Sequence, residues 1–370
     1  MKQVVVYGVL LTVAMVGAYV SWTSDVAPTA EGAEESVAVY SARSGDVKKL
    51  AFDGENVKVS VERRTDAKGD FVWVAIDETK AKPTPPKPHD HGSDPHGGDE
   101  EGDPDGSSPD GASPDDAPVE AGPEVPEEPE AEPEPEMETV HTEFLGNESA
   151  VGLFESFEPL MAKRELASGD SSDPKAFGLD EPSGHITVTR SAGDTTIDLG
   201  GETYGAKDRY GRHDGRMFLL EDTTIRPLQF AGSRLVERRV HPLLENELDS
   251  VVVRHAGKAV ELVQRNKDDR QAAFWARQGE DSKDDIAATW LDKLFRLKAA
   301  EYPLDVDLSG ATQVFAVDLT ANSETWTFTV LQDTAAQKVY ARSDFNRGTV
   351  ELTASLADEA ISDIGELFEE

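Results

Sequence analysis

Apolar and polar residues alternate with a period of two along several short stretches of this chain, and those stretches come in two similar series. In the first, Val47–Phe52 precedes Val57, Val59 and Val61, which interleave with Lys58, Ser60 and Glu62; the nearly continuous apolar run Phe71–Ile76 follows. Successive strand side chains point to opposite faces, so the interleaved stretch reads as a half-buried strand and the continuous run as a central one. Asp53-Gly54 supplies a turn between the first two. Farther along, Val251–Val253, a turn at Ala256-Gly257, Ala259–Gln264 and Ala272–Arg277 repeat the plan. Asp46 to Trp73 spans 27 positions and Asp249 to Trp275 spans 26, so the register is almost unshifted. A degenerate repeat of this length signals a duplicated fold whose halves pack together.

Helical spacing follows in each series. Asp284–Lys298 puts Ile286, Trp290, Leu291, Leu294 and Phe295 on one stripe, with Ser282 and Asp284 available as caps. Ser149–Leu166 does the same with Val151, Phe154, Phe157, Leu160 and Met161. Short strands return at His185–Arg190, Thr195–Leu199, Arg209–Arg212 and Arg216–Leu220, the last two hinged on Asp214-Gly215. The later series has Val314–Leu319, Thr325–Leu331, Lys338–Arg342 and Thr349–Leu352. Each series closes on a helical stretch, Thr224–Arg239 and Ser355–Phe368. The expected fold is α+β: two degenerate repeats of antiparallel β-meander with packed helices.

The two series differ by one insertion. Trp73 to Ser149 spans 76 positions, whereas Trp275 to Asp284 spans 9. The difference is a Pro-, Glu-, Asp- and Gly-rich segment that holds 14 of the 21 prolines and, over residues 81–140, 19 Asp or Glu against two Lys. It has too little apolar mass to order itself, and proline with like-charge repulsion favours an extended chain. Loop length costs little closure entropy, so a folded unit tolerates such an insertion. It reads as a solvated spacer, with a docking tail for a basic partner as the alternative. The expected organisation is a transmembrane anchor (1–23), a tether (24–36), the first half of repeat A (37–78), a disordered acidic insert (79–145), the remainder of repeat A (146–240) and repeat B (241–370).

The anchor is the apolar run Val4–Val20 after Lys2, flanked by Tyr19 and Trp22. Seventeen residues at about 1.5 Å each give roughly 26 Å of helix, close to a hydrocarbon core. The rival is a cleaved secretory leader, whose apolar core is usually shorter and precedes a small-x-small site. Asp25, Glu31, Glu34 and Glu35 follow the run and the first basic residue comes only at Arg43, which places the body outside the cytoplasm. Ala14 and Ala18 form a small-xxx-small pair able to seat a partner helix. A formal charge of -37 argues against nucleic acid or an anionic lipid surface as a partner, since phosphates would be repelled. With no cysteine, disulfides, thiol nucleophiles, Cys-ligated zinc and a lipid-modified cysteine are excluded.

Several of these features occur together. The single apolar span, the opening strand Asp46–Phe52 and a strand ending in Trp73 precede an amphipathic helix and the motif Phe177-Gly178-Leu179-Asp180-Glu181-Pro182. A strand pair closing on Leu199-Gly200-Gly201-Glu202 and Tyr210-Gly211-Arg212 follows, then Arg216–Leu220. In this series the chain resembles an uncharacterised bacterial family, a domain of unknown function found with auxiliary proteins of gliding-type ABC transporters. The resemblance implies a single-pass protein of the bacterial inner membrane with its body on the periplasmic side, an accessory of an ABC-type export or motility complex. It implies no catalytic residues. The acidic insert departs from the family pattern, and Tyr302-Pro303-Leu304-Asp305 keeps only a trace of the Gly-Leu-Asp-x-Pro step. Physically, Gly178–Pro182 reads as a turn, with Asp180 bonding a nearby N–H and Pro182 ending any helix.

Candidate chemistry is sparse. His89, His91 and His96 lie among carboxylates that could hold Zn²⁺ or Ni²⁺ weakly, at the cost of ordering the segment. Asp103-Pro104-Asp105-Gly106 starts like a calcium loop but lacks its later ligands. His141, His185, His213, His241 and His255 fall on separate elements, and no Gly-x-Ser-x-Gly elbow marks a nucleophile. Gly200-Gly201 with Gly205 follows a strand but precedes no helix, which argues against a phosphate cradle. Trp73, Trp275, Trp290 and Trp326 read as core, and the basic cluster Arg234–Arg239 as internally paired. The expectation is therefore a non-enzymatic binding or scaffolding protein, with no catalytic, cofactor-binding or metal-binding residue assigned. A cell-wall or extracellular-polymer binding module is the alternative, and a hydrolase comes third.

Overall fold

The computed structural model describes residues 36–82, 136–166 and 173–369. The expected span, its tether, the His89–His96 cluster and Asp103–Gly106 lie outside the described residues. Among the described residues no helix is long and apolar enough to cross a membrane. The chain divides into two compact units, one of residues 1–78 with 140–370 and one of Thr79–Thr139. In the smaller unit the Lys82 amide donates to the Glu136 carbonyl at 2.8 Å, and the Thr79 and Thr139 hydroxyls meet at 3.1 Å.

The fold is mostly β, with three antiparallel sheets and short helices, rather than an even mixture of helix and strand. The first strands are β1 (Val37–Ala38), β2 (Val47–Gly54), β3 (Val57–Asp66), β4 (Gly69–Ala81) and β5 (Met137–Leu145). Helix α1 (Glu148–Ser156) leads into β6 (Met161–Ala162) and β7 (Arg164–Glu165). Next come β8 (Gly184–Arg190), β9 (Gly193–Glu202), β10 (Arg209–His213) and β11 (Arg216–Leu220), then α2 (Asp222–Gln229) and α3 (Ala231–Arg234). Except for β1 and β6, which pair with each other, these strands form one sheet in the order β5-β4-β3-β2-β8-β9-β10-β11-β7. Strands therefore occupy both ends of the segment expected to be a disordered insert (79–145): β4 runs to Ala81 and β5 occupies Met137–Leu145.

The later strands are β12 (Ser250–His255), β13 (Lys258–Arg265) and β14 (Phe274–Arg277), followed by α4 (Asp285–Phe295) and β15 (Ala299–Glu301). Then come β16 (Thr312–Ala321), β17 (Glu324–Asp333), β18 (Lys338–Ser343), β19 (Gly348–Leu352) and α5 (Ala354–Ser362). They build an eight-stranded sheet in the order β14-β13-β12-β16-β17-β18-β19-β15. Apart from the extra edge strand β5, the two large sheets have the same order, strand for strand. In both, the chain enters the first long helix through one backbone bond: Gly146 N to Val72 O at 2.8 Å, and Asp284 N to Trp275 O at 2.9 Å. Asn147 and Asp284 then cap α1 and α4 by accepting from the amides of Ala150 and Ala287.

The sheet register makes Trp275 the counterpart of Val72, not of Trp73: Val72 lies opposite Arg63 and Trp275 opposite Gln264, partners that each stand two residues beyond the core positions Val61 and Leu262. Val72, Val74 and Ile76 face the core, so Trp73 stands on the opposite, half-exposed face, whereas Trp275 is buried. A difference of one position turns every side chain of a strand over. Trp73 instead donates Nε1 to Glu143 at 2.8 Å on the outer face.

The helices are shorter than the apolar spacing suggests. Phe157 and Leu160 are fully buried but lie beyond α1, where the Tyr40 hydroxyl donates to the Phe157 carbonyl and Val39 N to the Leu160 carbonyl. Val151 and Ile286 are about half exposed, so neither belongs to its core stripe. The turns at Asp214-Gly215 and Ala256-Gly257 take left-handed φ values of 48 and 75°, and 47 and 79°, as two-residue hairpins require. The turn expected at Asp53-Gly54 falls two residues later, at Glu55 and Asn56.

One hydrophobic core runs through the large unit, from Val39 to Leu367. The chain between the sheets, Val236–His241, bridges to Gly146 on one side and to Lys298 on the other. Three buried side chains pin it: Tyr302 Oη donates to the Glu237 carbonyl (2.7 Å), Asn346 Nδ2 to that of Arg239 (2.9 Å) and Ser343 Oγ to that of Val240 (2.8 Å). Hairpin tips also meet, with Lys68 on Asp344 at 3.1 Å, Arg347 on Asp66 at 3.1 Å and the Arg347 guanidinium 4.4 Å from the Phe71 ring.

Candidate functional site

A concavity lies at one end of the nine-stranded sheet, under α2. Phe52 forms part of its floor, and a pair of glycines lies against that ring. Phe52 pairs with Val59 and Ile186, and Val253 pairs with Val260 and Val317, so the two sheets can be compared residue by residue. Two steps along, the nine-stranded sheet pairs Gly54 with Gly184, where the eight-stranded sheet pairs His255 with Phe315. A Cβ on Gly54 would lie 2.9 Å from the Phe52 ring, and one on Gly184 would lie 2.8 Å from the Asp53 carbonyl. Neither residue can be larger without displacing its neighbour. In the other sheet those positions are filled: Phe315 is fully buried, and the His255 ring lies 5.7 Å from that of Phe368.

The open end is a cleft of about 370 Å³, near the lower bound of roughly 300–1,000 Å³ for small-ligand sites. Phe52, Val57 and Leu199 give it an apolar floor; Asn56, Ser183 and Gln229 add neutral polar groups, and Phe230 closes one side. Glu55, Glu202 and Asp222 face Lys207, Arg209 and Arg226, three charges of each sign. Arg209 is held by three acceptors: Ser183 Oγ (2.9 Å), the Gly200 carbonyl (3.0 Å) and Glu202 (3.0 Å). Its Nε is buried without a partner. Arg226 reaches Asp222 at 3.4 Å, one turn back on α2. Behind the cleft the Asp208 carboxylate, almost fully buried, takes Lys163 at 2.9 Å. Phe230 is 52% exposed at the end of α2, and Tyr204 stands fully out of the surface on the neighbouring loop.

The Phe177–Pro182 motif leads directly into Ser183, which lines the cleft. A 3₁₀ turn over Pro174–Phe177 is capped by Asp173, which accepts from Lys175 N at 3.1 Å, and ends on Gly178 at φ +66°. Asp173, not the expected Asp180, supplies that side-chain bond. The turn presses on the end of β9: a Cβ on Gly200 would stand 2.2 Å from the Phe177 carbonyl, so only glycine fits. Leu179 is buried, and the Phe177 ring packs 4.6 Å from Tyr210. This contact seats Ser183, whose hydroxyl reaches the Leu199 and Gly200 carbonyls. Gly200-Gly201 is thus a packing contact.

The five described histidines stay apart. His141 bridges Asp77 (2.6 Å) and Glu143 (3.2 Å), and those carboxylates, Asp77 first, raise its pKa. His185 pairs with Asp198 at 2.9 Å, while His213 and His255 bond the carbonyls of Thr196 and Val314. His241 is buried between Phe295 and Phe328, its Nδ1 without a partner, and burial pushes its pKa down to about 4. The bonds these rings make go to carboxylates and carbonyls. Among the described residues, no group of three His, Asp or Glu is gathered to hold a metal ion. In the basic cluster, Arg239 pairs with Glu237 and Glu148, and Arg238 donates to the Ala299 and Ala300 carbonyls. Trp275 and Trp290 are core residues; Trp73 and Trp326 are half-buried.

Sequence reasoning passes over Glu55, Asn56, Gln229 and Phe230. An exposed aromatic directly after a helix is the one local signal among them. No family model, no curated protein and no solved structure matches this chain.

Proposed function

We infer that this is a non-enzymatic binding or scaffolding protein of the cell envelope, held in the bacterial inner membrane by its apolar amino-terminal run, with its body on the periplasmic side. Its place is as an accessory of an ABC-type export or gliding-type complex. The body is read as a duplicated fold, one copy carrying the acidic insert. The observation that carries this reading is the shared strand order of the two large sheets combined with their divergence at one place. A duplicated scaffold that keeps a cleft in one copy and fills it in the other has been differentiated for binding. The charges in the cleft mostly pair with one another, which suits a fixed recognition surface. Affinity capture of the tagged full chain from cross-linked membranes tests the reading. ABC-type ATPase or permease subunits should be recovered with it; consistent recovery of the protein alone refutes the accessory role.

A second reading, binding of a cell-wall or extracellular polymer, is favoured by the cleft itself. Its apolar floor, neutral amides and exposed aromatic suit a repeating uncharged ligand better than a folded protein surface. Pull-down on purified envelope polymer separates it from the first.

A further inference from the structure

We propose that the cleft beneath α2 is a saccharide subsite, which takes one pyranose unit of a neutral glycan against Phe230 and Gln229. The proposal rests on the polymer-binding reading and names its site and ligand class. The charges argue for neutrality. Arg209 and Glu202 are committed to each other, as are Arg226 and Asp222. Among the described residues the two lining charges left without an ion-pair partner, Glu55 and Lys207, are opposite in sign. An anionic polymer would also meet a chain of charge -37. What remains is a cleft with an apolar floor, two amides (Asn56, Gln229) and an aromatic ring half open to solvent. A sugar presents C–H groups on one ring face and hydroxyls around its edge. The aromatic takes the first, and the amides, with the carboxylate of Glu55, take the second. Glycines at 54 and 184 leave room for the Phe52 ring that floors the cleft, and the matching positions in the other sheet are His255 and Phe315.

The test is isothermal titration of the full chain with maltotriose, cellotriose, tri-N-acetylchitotriose and, as peptide control, trialanine. A zwitterionic detergent is used, because glycosidic detergents carry sugars themselves. At least one trisaccharide should bind with a Kd of about 1 mM or tighter. Phe230→Ala should weaken that binding about tenfold and Gln229→Ala about threefold, equivalent to roughly 1.4 and 0.65 kcal/mol. Both side chains lie at the cleft mouth, so the thermal midpoint should hold. Binding of no trisaccharide, binding that both variants leave intact, or tighter binding of trialanine overturns the proposal. Retention on envelope polymer by the wild type and Phe230→Ala alike would leave the polymer reading standing and remove this site.

Discussion

His241 makes a pH dependence that can be calculated. The ring is 7% exposed, lies against Phe295 and Phe328, and has a partnerless Nδ1. Desolvation is the largest influence on it; the Arg239 charge acts in the same direction, while a Leu243 backbone contact and the Glu237 carboxylate oppose. The folded pKa is about 4 against 6.5 for the free side chain. The sign follows: the unfolded chain takes up the proton first, so the stability is present above 6.5 and is lost as pH falls toward 4. Linkage between those two values gives a loss of about 2 kcal/mol between pH 7 and pH 5 from this residue, good to about 1 kcal/mol. The chain's many carboxylates also titrate, so the assay is a difference. Urea denaturation of wild type and His241→Phe is compared at pH 7 and pH 5, the phenyl ring standing among the same aromatic neighbours. The stability of the variant relative to wild type should rise by about 2 kcal/mol on going to pH 5. A change of less than about 0.5 kcal/mol would mean that the imidazole finds a proton acceptor in the folded protein, and the argument from burial fails.

Other perturbations follow from the packing. Gly200→Ala forces a methyl onto the Phe177 carbonyl and should cost at least about 2 kcal/mol in denaturant unfolding; a neutral result would separate the Phe177 turn from the end of β9. Trp290→Ala empties the interior under α4 and removes the indole bond to the Ala360 carbonyl at 2.9 Å, a loss of about 3–5 kcal/mol by the same measurement. Tyr302→Phe removes the bond to the Glu237 carbonyl and that from Asn346, at about 1–3 kcal/mol. Unfolding should stay a single transition, because one core serves both sheets. Cutting the chain at a protease site placed within residues 83–135 should leave the fragments associated on a native sizing column. β2 is hydrogen-bonded between β3 and β8, which lie on opposite sides of the cut, so separation would contradict the sheet order.

Strand positions were legible where a stretch alternates because one face is buried, as Val57–Val61 does, and where a short apolar run stands between polar and turn residues, as Val251–Val253 and Arg216–Leu220 do. Hairpins at Asp214-Gly215 and Ala256-Gly257 were legible for the same local reason, since few residues accept the left-handed backbone they need. Helix length was not. Phe157 and Leu160 keep helical spacing but lie past the end of the helix, where their carbonyls accept from Tyr40 Oη and Val39 N, far off in sequence. Trp73 and Trp275 looked equivalent from their spacing and lie on opposite faces, because spacing carries no information on which face of a strand meets the core.

By itself, then, the amino-acid sequence determined where strands and turns form, that the two series share a plan, and that an acidic proline-rich stretch interrupts the first of them. These are consequences of local backbone preference and of burying one face at a time. Only the tertiary structure decided the sheet order, the sharing of one core and the opening beneath α2. The floor of that opening is the Phe52 ring, which has room because Gly54 lies opposite Gly184, a pairing between residues remote along the chain that takes effect only when β2 and β8 meet.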